Sequence, residues 1–261
     1  MPEPGERLAL TTVDGEHLAA VHLAGPDREL AIVVGHGFSG SIRRPSVRTI
    51  AECFAVHAGV LAFDFRGHGA STGYSTVGDK EVFDLDAAVS AARGLGYRAV
   101  ASCGFSMGAS VVIRHAALHG GVAAVAAVSG TSRWFYRGTP PMRRLHWVVE
   151  RRAGRFLARR VLHTRIAAGG WDPVPEAPVE VVARIAPVPL LVVHGDRDAY
   201  FPVEHAEALA AAAGEPVELW IVPGFGHAEA AATPELLDRI GGWLRAASTA
   251  NAARPAKPGT A

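Results

Sequence analysis

A serine lies between two glycines at the point where the sequence pattern changes from strand to helix. The apolar run that begins at Val100 leads into Gly104-Phe-Ser-Met-Gly108, and helix-forming residues follow directly. A strand that turns at once into a helix strains the central residue and brings neighbouring backbones close, which glycine tolerates. Ser106 is therefore expected to project its hydroxyl from a sharp turn. Gly-x-Ser-x-Gly also arises by chance in a chain with 29 glycines, so other residues have to support this interpretation.

Strand-like and helix-like stretches alternate on both sides of this turn. The continuous apolar run 30–34 predicts a strand that is buried on both faces, and 60–63 predicts another buried strand. Further strands are predicted at 122–128, 188–193 and 217–222. Helical stretches separate these runs, and a hairpin around Asp14-Gly15 opens the chain. The alternation predicts an α/β fold with a mostly parallel sheet and helices on both faces, and functional residues at the carboxyl ends of the strands.

An acid and a histidine follow two of the later strands. The run 190–193 leads into His194-Gly-Asp-Arg-Asp198, and the run 217–222 leads into a loop that ends at His227. The resulting chain order of serine, acid and histidine is typical of nucleophile-elbow hydrolases. Asp198 is favoured as the acid over Asp196, because Asp196 directly follows a glycine and is suited to holding the turn.

These three residue types have complementary chemistry. A serine hydroxyl becomes a good nucleophile when an imidazole takes its proton, and a carboxylate orients the imidazole and stabilises its cation. Ser106, His227 and Asp198 are predicted to fill these roles. Two backbone N–H groups are predicted to stabilise the oxyanion, those of Met107 at the helix start and of Phe38 after His36-Gly37.

Composition excludes several other classes of protein. The 261 residues are 49% hydrophobic and 20% charged with a net charge of +1, which argues against nucleic acid as a partner. No apolar run reaches the length of about 18 residues that a membrane-spanning helix needs. Cys53 and Cys103 fit neither a disulfide framework nor a zinc site. The first seven residues lack the pattern of a secretory signal, so we expect a cytoplasmic protein. We also expect neither a metal nor an organic cofactor.

A second motif competes with the elbow. Gly35-His-Gly-Phe-Ser-Gly40 satisfies the dinucleotide-binding pattern after a strand, and Asp64 ends the next strand. A hairpin precedes this strand, however, and no helix starts at the third glycine. A dinucleotide site also leaves Ser106, Asp198 and His227 unexplained, so we expect no such cofactor. Asp64 and Arg66 are predicted to form a buried ion pair that braces their loop, and His36, His68 and His194 to structure loops.

From Leu8 to about Ala246 the chain resembles the α/β-hydrolase superfamily. The stretch 63–71, Phe-Asp-Phe-Arg-Gly-His-Gly-Ala-Ser, is similar to the family's Asp-x-Arg-Gly-x-Gly-x-Ser loop, and His36-Gly-Phe38 to its oxyanion loop. The resemblance implies an eight-stranded sheet whose second strand is antiparallel, and it implies the same three catalytic residues by position. A serine at the elbow, rather than an aspartate, points to ester hydrolysis. The chain looks nearest the carboxylesterase and monoacylglycerol-lipase-like group.

Residues 131–186 interrupt the alternation after the sixth strand, where this family commonly inserts a small helical cap. Residues 142–162 are predicted to be helical, as one helix or as two short ones, since Gly154 weakens a single helix. The aromatic residues of this stretch are candidates for a substrate pocket or for packing within the cap; they are Trp134, Phe135, Tyr136, Trp147 and Trp171. Its many arginines form a solvated face, or else border an acyl pocket or an anionic membrane surface.

The domain is therefore predicted to span 1–247, with the cap at about 131–186 and a disordered tail at 248–261. We expect a serine hydrolase that cleaves a carboxylic ester of a small or medium acyl substrate through an acyl-enzyme. Thioesterase, lactonase and amidase or peptidase activities use the same triad and remain open, as does a catalytically silent protein that binds a small ligand. The sequence predicts no oligomeric state.

Overall fold

One eight-stranded sheet runs through the computed structural model, which describes residues 5–253 of the chain. Its strands are β1 (Glu6–Thr11), β2 (His17–Leu23), β3 (Leu30–Gly35), β4 (Gly59–Phe63), β5 (Ala99–Phe105), β6 (Val125–Val128), β7 (Leu190–Gly195) and β8 (Val217–Val222). They lie side by side in the order β1-β2-β4-β3-β5-β6-β7-β8. β2 is antiparallel to both of its neighbours, and every pairing from β4 to β8 is parallel. The predicted α/β-hydrolase fold is confirmed, including the antiparallel second strand.

Helices cover both faces of the sheet. They are α1 (Pro45–Ala55), α2 (Glu81–Gly94), α3 (Met107–Leu118), α4 (Pro140–Glu150), α5 (Arg152–Leu157), α6 (Pro178–Val181), α7 (Glu204–Ala212), α8 (Ala228–Ala231) and α9 (Pro234–Ala252). The buried side chains of α1 and α9 pack in one apolar core, and those of α2, α3, α6 and α7 pack in the other. Alternate residues of β3 serve the two cores, because successive side chains of a strand point to opposite faces.

The register of the parallel strands aligns the loops that carry function. Gly35 at the end of β3 pairs with Gly104 in β5, and Phe105 pairs with Val128 at the end of β6. All residues of β3, β6 and β7 are buried, so hydrophobic packing on both faces holds these strand ends in place. The loops after β3, β5, β7 and β8 therefore open at one edge of the sheet.

The buried ion pair differs from the predicted one. Arg66 pairs with Asp84 of α2 and with Asp14 of the first hairpin, rather than with Asp64. The carboxylate of Asp64 instead accepts the backbone N–H groups of Ile42 and Ala70, at 2.8 and 2.9 Å. Arg66 nevertheless braces its loop, because its side chain is almost completely buried between the two acids.

The stretch 131–186 contains short helices rather than one long element. α4 ends before Arg151, whose backbone is extended, and α5 continues as a π-helical turn, Ala158–Leu162. Of the two arrangements expected for 142–162, the one with separate short helices is present. A β-bridge between Ser75 and Ile166 and a 3-10 turn, Val182–Ile185, tie the stretch to the sheet domain.

The last helix continues past the predicted domain boundary at 247. α9 continues to Ala252, because Ser248 is buried and the side-chain amide of Asn251 donates to the carbonyl of Ala123 at 3.1 Å. The segment 248–252 is therefore packed helix, which corrects the expectation of a disordered tail there. The remainder of that predicted tail, from 254 onward, lies outside the described residues.

Candidate active site

Ser106 has the strained backbone that the turn between β5 and α3 requires. Its φ of 51° and ψ of −112° lie in a region that residues other than glycine rarely adopt. Such a backbone conformation typically costs about 1–3 kcal/mol. The N–H of Ser106 donates to the carbonyl of Val128 on β6 at 2.8 Å, which holds the residue against the sheet. Such strain occurs mainly at functional sites.

The two glycines around Ser106 are required by close backbone contacts. A Cβ at Gly104 would lie 2.1 Å from the carbonyl oxygen of Gly108, and a Cβ at Gly108 would lie 2.3 Å from that of Gly35. Both distances are far below van der Waals contact. The strand, the helix and the neighbouring loop after β3 therefore approach one another closely only because side chains are missing here.

Hydrogen bonds connect Ser106 to His227 and Asp198. The Ser106 Oγ atom lies 2.9 Å from His227 Nε2, and His227 Nδ1 lies 2.8 Å from Asp198 Oδ2. The other carboxylate oxygen of Asp198 accepts the backbone N–H groups of Tyr200 and Phe201. Asp196, the competing acid, is exposed and accepts the N–H of Gly224 instead.

The surroundings keep Asp198 ionised. Burial of its side chain raises the pKa of Asp198, but the hydrogen bond and charge of His227 and the two backbone N–H groups outweigh burial, so the pKa lies below its ordinary value. An ionised carboxylate accepts a hydrogen bond from the N–H at His227 Nδ1 and leaves Nε2 free to accept the Ser106 hydroxyl proton. The arrangement can thus generate a serine nucleophile.

One further residue contacts this group and another joins two of the loops beside it, and the sequence analysis missed both. The ring of Tyr200 stacks on the His227 imidazole with centroids 4.1 Å apart. A carboxylate oxygen of Glu229 accepts the N–H of Gly37 at 2.6 Å, which ties the loop after β8 to the loop after β3. The sequence offered one signal for each residue. Tyr200 comes two residues after Asp198, and Glu229 comes two residues after His227, so the spacing alone indicates that both lie near the site.

Ser106 lines a cavity of about 190 Å³ that lies between the sheet edge and the stretch 131–186. Phe38 and Met107, whose N–H groups are the predicted oxyanion donors, both line it. Its walls are mainly apolar and include side chains of α4, namely Met142, Leu145 and Val149. A cavity with such walls can hold an apolar ligand group.

Four of the five aromatic candidates line this cavity: Trp134, Phe135, Tyr136 and Trp171. The Trp134 and Trp171 rings lie 5.0 Å apart, and each indole donates its N–H to a backbone carbonyl, that of Pro175 and that of Thr76. Trp147 is the exception and corrects that part of the prediction. It lies on the outer side of α4, where it is 47% exposed and borders a shallow surface groove.

Two of the other histidines, His36 and His68, structure loops beside the site. His36 Nδ1 donates to the carbonyl of Gly37, and its Nε2 accepts the N–H of Phe65, so both ring nitrogens are used. Burial lowers the pKa of His36 and of His68 to about 4, which keeps these rings neutral. Between residues 5 and 253 there is no group of three or more His, Cys, Asp or Glu side chains that could hold a metal ion.

Comparison with known proteins identifies the family. Residues 26–169, more than half of the chain, match the family described as serine aminopeptidase, S33. This range includes Ser106 and Phe38 but ends before Asp198 and His227, so the last two rest on the geometry described above. No curated protein matches the chain.

Solved structures share the fold over nearly the whole chain. The Pyrococcus furiosus esterase Pf2001 is 25% identical, with 93% of this chain and 92% of that chain covered and a TM-score of 0.70. An α/β hydrolase from Penicillium is 21% identical, with 94% and 99% covered and a TM-score of 0.71. An α/β serine hydrolase without lid from Xanthomonas campestris is 20% identical, with 99% of both chains covered and a TM-score of 0.62.

Proposed function

The chain belongs to the serine aminopeptidase S33 family of α/β hydrolases, and we propose that it hydrolyses carboxylic esters of small or medium acyl groups through an acyl-enzyme on Ser106. The observation that carries the proposal is the unbroken hydrogen-bonded chain from Ser106 through His227 to Asp198. The esterase from Pyrococcus furiosus supports the choice of bond, and the apolar cavity supports the choice of acyl group.

Each step uses groups at the edge of the sheet. His227 Nε2 takes the hydroxyl proton of Ser106 while Oγ attacks the ester carbonyl carbon. The N–H groups of Phe38 and Met107 donate to the oxygen that becomes negative. The imidazolium, held by Asp198, then gives its proton to the leaving alcohol. Water attacks the acyl-enzyme with His227 again as the base, and the acid and free Ser106 are released.

The reaction is tested with a fluorophosphonate probe and p-nitrophenyl esters. We expect Ser106→Ala to remove labelling and to lower kcat by at least about 10⁴-fold, since the nucleophile is lost. Ser110→Ala is the matched control, because Ser110 lines the same cavity one helical turn away and its hydroxyl has no hydrogen-bond partner among the described residues. A silent ligand-binding protein would leave the probe unreacted, and equal turnover by the two variants would refute the proposal.

The same triad also acts on thioesters, lactones and amides, so the leaving group is measured in parallel. Aminoacyl p-nitroanilides, thioesters and lactones are compared with p-nitrophenyl esters of matched acyl length on the purified protein. We expect the highest kcat/KM for the esters.

We also propose that the protein works in the cytoplasm, since Cys53 and Cys103 are both free thiols, as is usual in a reducing compartment.

A further inference from the structure

The charges of the chain are divided unevenly between two parts. Residues 131–171 contain ten arginines and one acidic residue, Glu150, and therefore carry +9. The remaining residues contain 16 Lys and Arg and 24 Asp and Glu, and carry −8. The net charge of +1 hides this division, which makes the segment over the cavity a strongly cationic part of the molecule.

Most of these arginines are not neutralised. Arg137 pairs with Glu150, and Arg143 and Arg155 donate to backbone carbonyls. Five other guanidinium groups make no ion pair or hydrogen bond with any residue from 5 to 253, and all are exposed: Arg133, Arg144, Arg151, Arg152 and Arg159. Such groups are free to meet anionic groups outside the protein.

Large apolar side chains are exposed among the same arginines. Trp147 is 47% exposed, Phe156 63%, Leu157 47% and Val161 60%. Trp147 and Leu157 border one shallow groove together with Arg144, and the guanidinium of Arg160 lies over the ring of Phe156. We call these residues the cationic cap surface: Arg144, Trp147, Arg151, Arg152, Phe156, Leu157, Arg159 and Val161.

We propose that the cationic cap surface docks on an anionic phospholipid bilayer. Arginine side chains are attracted to the negative surface of such a bilayer, and neighbouring aromatic and aliphatic side chains insert at the boundary of headgroups and acyl chains. A nucleic acid would satisfy the arginines but not the exposed Phe156, Leu157 and Val161. The combination of charge with apolar side chains therefore favours lipid. No helix among the described residues is long and apolar enough to cross a membrane, so the contact is peripheral.

The docking surface and the cavity share one element. α4 presents Leu145 and Val149 to the cavity and Trp147 to the outside. Phe135 lines the cavity and is also 56% exposed, so the cavity reaches the surface within the same cationic segment. Docking therefore holds the cavity close to a phase in which apolar esters concentrate. The docking itself uses no triad residue and stands apart from the proposed hydrolysis.

Vesicle sedimentation of the full chain tests the proposal. We expect binding to phosphatidylcholine vesicles that contain about 30% phosphatidylglycerol, weak binding to pure phosphatidylcholine, and loss of binding when NaCl rises from roughly 0.05 to 0.5 M. Ser106→Ala should bind as the parent does, which separates this result from any result on catalysis. Failure of the parent protein to bind anionic vesicles at low salt would overturn the proposal.

Two matched variants locate the contact. Trp147→Ala with Arg144→Glu, Arg151→Glu and Arg152→Glu should weaken partitioning on the order of 100-fold. The control makes the same changes in charge at exposed sites elsewhere, Arg7→Glu, Arg48→Glu and Arg98→Glu with Val56→Ala, and should change partitioning by less than about threefold. Equal losses in the two variants would refute a contact through this surface.

A milder substitution guards against misfolding. Phe156→Ser changes no charge, and we expect it to weaken partitioning by about 10-fold while leaving the salt dependence in place, since an inserted ring is lost. Turnover of a short water-soluble ester should be unchanged, because Phe156 is 63% exposed and does not belong to the residues that line the cavity. Full partitioning of Phe156→Ser would contradict apolar insertion, and binding only to RNA or to an acidic protein would assign the surface to another partner.

Discussion

The edge of the sheet and the stretch 131–186 meet at one cavity but are built differently. At the sheet edge, Ser106, Asp198 and His227 follow strands packed in the sheet, and glycines at contact distance fix their loops. The stretch 131–186 consists of short helices with several exposed apolar side chains. The Ser75–Ile166 bridge, the buried side chains of α6 and hydrogen bonds such as that from Trp171 to Thr76 attach it to the domain.

This difference separates two tasks. The chemistry needs atoms held within a few tenths of an ångström, which buried strands and close backbone packing supply. Selection of a substrate needs a wall whose side chains can vary without disturbing the sheet. We therefore expect substitutions at the sheet edge to remove activity or stability, and substitutions in 131–186 to change preference among substrates.

Asp198→Asn should have the largest effect. An amide cannot fix the Nδ1–H tautomer of His227 as the carboxylate does, so kcat for a p-nitrophenyl ester should fall by roughly 10³–10⁴-fold. Asp196→Asn is the control and should keep its activity, because Asp196 is exposed and accepts only the N–H of Gly224. If the two variants lose activity alike, Asp198 is not the orienting acid.

Gly108→Ala should destabilise the fold. The added Cβ would lie 2.3 Å from the Gly35 carbonyl oxygen, so the free energy of unfolding should fall by about 3 kcal/mol or more. Gly94→Ala in α2 meets no atom within 4 Å and should be neutral or slightly stabilising. Urea denaturation of both proteins gives the comparison, and a stable Gly108→Ala protein would show that the elbow tolerates a side chain.

Acid should destabilise the sheet domain. Burial lowers the pKa of four histidines to about 4, His36, His68, His115 and His205, and none of them belongs to 131–186. The unfolded chain binds protons near the ordinary pKa of about 6.5, so the free energy of unfolding is retained above that value and falls as pH drops toward 4. Each histidine contributes up to about 2 kcal/mol between pH 7 and 5. Urea titrations at several pH values measure the slope, and a flat profile would contradict the neutral rings.

Trp171→Ala should have the smallest effect, and that effect should depend on the substrate. The indole packs against the Trp134 and Phe135 rings in the cavity wall, so kcat/KM for a medium-chain ester should fall by about 10-fold and that for an acetyl ester much less. Trp147→Ala, on the outer side of α4, should leave both values unchanged. A loss in the Trp147 variant would place that residue in the substrate path.

Much of the fold and the site is local and could be predicted. Short stretches of sequence predict local structure here: continuous apolar runs predict buried strands, Asp14-Gly15 predicts a hairpin turn, and the glycines around Ser106 predict a tight turn. The order of strands and helices then limits the topology. Because parallel strands end at one edge, a serine, an acid and a histidine after three strands had to lie near one another. The sequence by itself thus determined the sheet and brought Ser106, Asp198 and His227 to one edge.

Only the tertiary structure decided what depends on contacts between distant segments. It paired Arg66 with Asp14 and Asp84, directed Trp147 outward, and extended α9 through the bond of Asn251 to Ala123. The direction in which a helical side chain points depends on where its helix packs. The break at Arg151 separates α4 from α5, so the side chains of α5 point in directions that a single continuous helix would not give them. The sequence therefore contains the arginines and apolar residues of 131–186, but their joint exposure appears only when the helices are in place.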